Sequence, residues 1–124
     1  MTLDMTLDFF EQFRANLSEF PDRVALQGLY EDSRESFSYQ QVADETAKIG
    51  LFLQASGVES GQSVGILMEN HPRWGIAFLA AHSAGAVIVP FDIQHSDETL
   101  ANLIQHARCR FLISSARFYP RLDG

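Results

Sequence analysis

The 124-residue sequence predicts an α/β fold: an N-terminal helix and β-hairpin, then β-α-β-α-β with a mainly parallel sheet. Three observations predict it. Between residues 63 and 113, short apolar runs alternate with segments of helical spacing, an order that pairs strands in parallel through right-handed crossovers. Those runs are continuous rather than alternating, as in strands covered on both faces. The composition, 46% apolar, 11% aromatic and 20% charged, supplies a core and argues against disorder.

The elements follow in order. Residues 6–17 carry Phe9, Phe10, Phe13 and Leu17 at helical spacing, and Phe20-Pro21-Asp22 breaks that helix. Val24 to Tyr30 reads as a strand, Glu31-Asp32-Ser33-Arg34 as a turn, and Glu35 to Phe37 as the antiparallel return. Ser38-Tyr39-Gln40-Gln41 fits a capping box that opens a helix through Val42, Ala43, Ile49 and Leu53. Gly57 stands where a left-handed residue would close it. Ser63 to Met68 is a buried strand; Pro72 opens the next helix, through Trp74, Phe78 and Leu79, and Gly85 ends it. Ala86 to Val89 is a further strand. Ser96 caps a helix whose first turn, Asp97 and Glu98, suits the positive end of the dipole. Leu100, Leu103, Ile104 and Ala107 form its buried stripe, and Phe111 to Ile113 is the last strand. The tail, Ser114 to Gly124, completes no element and reads as one cut short. Met1-Thr2-Leu3-Asp4 recurs as Met5-Thr6-Leu7-Asp8 and is assigned no structural role.

Charge and composition exclude several classes. Nine basic residues against sixteen acidic ones leave a formal charge of −7, and Lys48 is the only lysine. No basic cluster exists to hold a phosphate backbone or an anionic membrane surface. Cys109 stands alone, so no internal disulfide forms, which fits a cytoplasmic setting. No apolar run of about 18 residues spans a bilayer. Asp4 and Asp8 stand where a secretory signal carries positive charge.

Candidate chemistry is sparse. Neither a G-x-x-x-x-G-K-[ST] nor a G-x-G-x-x-G nucleotide loop occurs. Ala81-His82-Ser83-Ala84-Gly85 comes near the G-x-S-x-G elbow, but Ser83 lies at the end of a helix that leads into a strand, the reverse of the required order. Ser83 reads instead as a small residue that lets helix and sheet approach. His71, His82, His95 and His106 are dispersed. His106 and Cys109 are three apart with no second pair, so they read as surface or capping residues rather than zinc ligands. Asp44-Glu45 is a solvated helix face. Trp74, Phe78 and the Phe9/Phe10/Phe13 stripe read as core packing before lipid binding.

Four strings, in order, carry a resemblance. Phe20-Pro21-Asp22-Arg23-Val24-Ala25-Leu26 resembles a "P-D-R-x-A" entry. Phe37-Ser38-Tyr39-Gln40-Gln41-Val42-Ala43 resembles a "T-Y-x-E-L" motif. Gly61-Gln62-Ser63-Val64-Gly65-Ile66-Leu67-Met68-Glu69-Asn70 resembles "G-D-x-V-x-x-x-x-x-N", and His82 to Asp92 resembles "A-G-A-x-x-V-P-x-D". The family so resembled is the AMP-forming acyl-CoA synthetase, peptide-synthetase adenylation and luciferase superfamily, and the match covers about residues 9–115. Phe91-Asp92-Ile93-Gln94, Ser96-Asp97-Glu98 and Leu103-Ile104-Gln105-His106 look most like long-chain fatty-acid CoA ligases. Gln62 and Gln41-Val42 depart from the common Asp and Glu-Leu without touching chemistry.

The resemblance implies a parent enzyme that activates a carboxylate with ATP and Mg²⁺ and passes the acyl group to CoA. Residues 1–124 would be the N-terminal fragment of its adenylate-forming domain. The family's phosphate loop, ribose-binding Asp and catalytic Lys lie beyond this segment, and Lys48 matches none of them. The chain itself is therefore expected to carry no catalytic, cofactor-binding or metal residue and to be inactive alone. Its partners would be the rest of the ligase, a fatty-acid substrate, and a second copy through an exposed sheet edge. The parent would be cytoplasmic, or peripheral on a membrane. A free-standing α/β binding or regulatory module, a piece of a peptide-synthetase adenylation domain, and a hydrolase built on Ser83 are the competing readings.

Overall fold

A computed structural model describes residues 9–30, 33–69 and 71–122 of the chain. Helix α1 spans Phe9–Glu19, two residues beyond the predicted end, because the Phe20 N–H still donates to the Asn16 carbonyl (2.7 Å) before Pro21 stops the ladder. Residues 6–8, the side chains of Phe9 and Phe10, and the N-terminal repeat lie outside the described residues. Strands β1 (Val24–Tyr30) and β2 (Ser33–Ser38) form the antiparallel hairpin, with a bulge between Val24 and Leu26. The predicted turn is too long: Ser33 and Arg34 pair with Tyr30 and Leu29. Ladder bonds are made by the backbone, so polar side chains do not prevent them in a two-stranded ribbon.

Helix α2 (Tyr39–Ala55) opens on the predicted capping box. The Ser38 Oγ accepts from the Gln41 N–H (3.1 Å), and the Gln41 Oε1 accepts from the Ser38 N–H (2.8 Å). Strand β3 is Ser63–Leu67, helix α3 Pro72–Ser83, strand β4 Val87–Pro90, helix α4 Asp97–His106 and strand β5 Phe111–Ser114. Each of the last three helices ends in a Schellman motif. Gly57, Gly85 and Arg108 are the left-handed residues, at φ of 100°, 79° and 56°. The next amides, of Val58, Ala86 and Cys109, bond back to Leu53, Ala81 and Ile104. Glycine marked the first two endings in advance. Arg108 is not a residue type that announces such a position.

The parallel sheet has three strands in the order β4-β3-β5. Both of its faces are covered, as predicted. Val64, Ile88, Phe111 and Ile113 pack against Leu53 of α2, Ala80 and Ala81 of α3 and Ala84 at its C-cap. Leu67, Val89 and Leu112, the alternate residues, pack against Leu100 and Ile104 of α4. Leu103, expected in the buried stripe, is 37% exposed at its edge. A third cluster, Val42, Ile76 and Leu79, joins α2 and α3 to the hairpin through Ala25, Leu26 and Phe37.

The tail is a correction. It forms a short 3-10 helix, Tyr119–Leu122, and Phe118 is buried in the α4-side cluster. Arg121 ties it down by donating to the carbonyls of Ile93 (2.8 Å) and His95 (2.5 Å) and to Asp97 (2.7 Å). Two residues of local sequence, Phe118 and Arg121, do this through distant partners, so no periodicity signals it.

Candidate functional site

From β3 the chain crosses to β4 on one side, then returns past β3 to β5 on the other. Helices α3 and α4 accordingly lie on opposite faces. This is a topological switch point, and in open α/β sheets the crevice outside the carboxyl ends of the strands is where ligands bind. A cleft of about 280 Å³ lies there, lined by Met68, Glu69, His71 and Arg73 after β3 and by Ser114 and Ser115 at the end of β5.

Its polar groups are already engaged. The Ser115 Oγ donates to Glu69 Oε2 (2.7 Å), bridging the ends of β3 and β5. Burial pushes the Glu69 carboxyl upward, but the Ser115 hydrogen bond, a backbone amide and the neighbouring His71 and Arg117 side chains outweigh it, leaving it below the usual carboxylate range. His71 is the N-cap of α3: its Nδ1 accepts from the Arg73 N–H (3.0 Å). Its Nε2 is 2.7 Å from Glu35 Oε2 on β2, and the Arg73 guanidinium stands 4.0 Å from the other Glu35 oxygen.

This arrangement does not fit a triphosphate. The cleft offers one ionised carboxylate, and Arg73 stands against Glu35; a phosphate cradle needs a run of free backbone N–H groups and unspent cations. Among the described residues, no three His, Cys, Asp or Glu side chains converge on a metal position. The cleft can position chain segments; among the described residues it holds no nucleophile–base pair with donors for an oxyanion.

The residues singled out in the sequence fall elsewhere. Ser83 is the last residue of α3, its Oγ donating to the Ala80 carbonyl (2.7 Å). It does ease a close approach, but between α3 and α2 rather than helix and sheet: a Cβ on Gly50 would come within 2.7 Å of that Oγ. His106 is exposed, whereas Cys109 turns inward beside Ile104 and Leu112, where burial pushes its thiol upward. Trp74, Phe78 and His82 stack along α3, the ring centroids 5.8 and 6.5 Å apart. Phe13, Trp74 and Phe78 are half-buried and line an open trough of about 590 Å³ between α1, α2, α3 and β1, with no charged side chain in its wall among the described residues. The core-packing reading thus holds in part: Phe13 and Phe78 pack against the buried Val42, Ile76 and Leu79, while one side of each faces the trough. Asp44 accepts from Gln40 (2.9 Å) and Glu45 lies 3.6 Å from Lys48, all on the solvated side of α2. Sequence reasoning did not single out Glu69, His71 or Ser115 as a group. The available signal was position: the stretch Glu69–Arg73 joins a strand's carboxyl end to a helix.

A family model described as "AMP-binding enzyme" matches residues 13–122. The chain is 31% identical over 114 residues to a linear gramicidin synthase of Brevibacillus parabrevis, covering 92% of this chain and 1% of that protein. It is 29% identical over 84 residues to crotonobetaine/carnitine–CoA ligase of Citrobacter koseri, covering 68% of this chain and 16% of that protein. Among solved structures, the N-terminal subdomain of NpsA from Klebsiella oxytoca, in complex with anthranilyl-AMSN, superposes with a TM-score of 0.73 at 30% identity. That match covers 84% of this chain and 26% of that one. The fatty acid AMP ligase of Legionella pneumophila shares the fold, with a TM-score of 0.78 at 20% identity, over 85% of this chain and 19% of that one.

Proposed function

The chain belongs to the AMP-binding enzyme family of adenylate-forming ligases, and from that premise we propose that residues 1–124 are the N-terminal scaffold of the adenylate-forming domain of a fatty-acid CoA ligase. The longer enzyme would activate a long-chain carboxylate with Mg·ATP and transfer it to CoA. The single observation behind the acyl preference is the run Phe91-Asp92-Ile93-Gln94 with Ser96-Asp97-Glu98, which resembles long-chain ligases. In the fold this run shapes the β4–α4 loop: Phe91 is buried, Asp92 accepts from the Gln94 N–H (2.8 Å), and Ser96 caps α4.

A second reading has its own support. The 31% identity over 114 residues to a gramicidin synthase favours a peptide-synthetase adenylation domain, which would activate an amino acid for a carrier thiol. Cytoplasmic placement is part of the first proposal; among the described residues no helix is long and apolar enough to cross a membrane.

The test has two arms. The 124-residue chain, titrated with Mg·ATP by calorimetry with and without a long-chain fatty acid, should give no saturable heat; saturable binding would sink the scaffold reading and favour a free-standing module. The longer protein should support ATP–pyrophosphate exchange driven by long-chain fatty acids. Exchange driven only by amino acids would replace the first reading with the second.

A further inference from the structure

We infer that His71 is a latch that holds the hairpin against the carboxyl end of the parallel sheet, and that it works as a neutral ring with its proton on Nε2. The inference needs neither substrate reading. It rests on the hydrogen bond that each ring nitrogen makes. Nδ1 accepts from the Arg73 N–H (3.0 Å), so it carries no proton. Nε2 lies 2.7 Å from Glu35 Oε2, and an ionised carboxylate only accepts, so Nε2 carries the proton. One side chain thereby caps α3, which packs on the sheet, and grips β2, where Glu35 sits opposite Gly28.

The His71 side chain is 16% exposed, so the pair is partly shielded from water. Arg73 reinforces the same junction from α3: its guanidinium lies 5.3 Å from the centroid of the Phe37 ring on β2 and 4.0 Å from Glu35 Oε1. Among the described residues, the charged groups around the ring are Glu35 from β2, Arg73 from α3 and Glu69 just after β3; Arg117, after β5, acts on Glu69. A protonated ring would keep the hold on Glu35 and lose the cap, because Nδ1–H cannot accept from Arg73 and a cation opposes the positive end of α3. His71 also lines the switch-point cleft, so the latch and the cleft share a wall. Releasing the hairpin would alter the cleft.

Long-range ¹⁵N NMR on the whole chain at neutral pH tests the tautomer, with the His71 signals assigned by their loss in His71→Asn. Protonated Nε2 with bare Nδ1 is expected; a protonated Nδ1, or averaging between the two tautomers, overturns the proposal. Hydrogen exchange tests the hold. Asn can still cap α3 but is too short to reach Glu35, so His71→Asn should speed exchange of the β1–β2 amides about threefold to tenfold, the range for one lost hydrogen bond. Glu35→Ala should do the same, and Glu35→Gln, which keeps an acceptor oxygen, should restore most of the protection. Unchanged hairpin exchange in Glu35→Ala overturns the latch, whether or not His71→Asn folds.

Discussion

Gly65 shows how much a single missing side chain can matter. It lies in the middle of β3, between Val89 and Leu112 in the ladder, and a Cβ there would sit 2.5 Å from the Phe91 ring and 2.9 Å from Leu112. Phe91 is the buried residue that turns β4 into the α4 loop, so it has little room to yield. Gly65→Ala should cost about 1–3 kcal/mol of stability, the usual cost of overpacking, read from the shift of a urea midpoint. Glu69 makes a pH-dependent contribution. Its folded carboxyl lies below the ordinary value, so the stability it confers is present above the unfolded value of about 4.3 and is lost as pH falls through the folded value. Ser115→Ala removes the hydrogen bond and should move the Glu69 titration upward by NMR while flattening the acid limb of the stability curve below the ordinary carboxylate range.

The elements owe their boundaries to local chemistry and their strength to distant contacts. Capping residues read straight from the sequence: Ser38 and Ser96 accept from Gln41 and Thr99 as a box and a simple cap should. The end of α4 and the 3-10 tail do not. Arg108 is held left-handed because Cys109 must turn inward beside Ile104, and the tail is ordered because Phe118 finds the α4-side cluster. Arg121 then binds the β4–α4 loop through two carbonyls and Asp97. Arg121→Ala should cost roughly 1–2 kcal/mol, discounted for partial exposure. Amides from Ile93 to Asp97 should exchange faster, with those of β3 unchanged. Equal acceleration in β3 would mean global unfolding rather than release of the loop.

At the scale of the molecule, two layers of helix cover a sheet that is open at both edges. Strands β4 and β5 each pair on one side only among the described residues, and Val87 on β4 is 52% exposed. Unpaired edges are templates for another strand. The apolar trough walled by Phe13, Trp74 and Phe78 adds half-buried surface. Sedimentation velocity should therefore find concentration-dependent self-association, and Val87→Lys should weaken it by placing a charge at the edge. A strictly monomeric chain at high concentration would count against the edge as the driving surface. The same openness fits a scaffold that works within a longer protein.

Fold class, strand and helix order, two of the caps and two of the helix endings were legible in the sequence, because each depends on residues within a few positions of one another. Hydrophobic period, a Ser three residues before a Gln, and a Gly after a helix are local signals. The four family strings belong to the same category, since they are runs of scaffold sequence. Tertiary structure alone decided what meets across the chain. It brought Glu35 to His71 and Glu69 to Ser115, 36 and 46 residues apart. It seated Ser83 against Gly50 and Phe118 beneath α4. These pairings depend on where crossovers and sheet order bring distant segments, and no short-range pattern encodes that. The sequence by itself determined the parts and their order; the packing of α3 and α4 on opposite faces of one parallel sheet determined which side chains share the cleft.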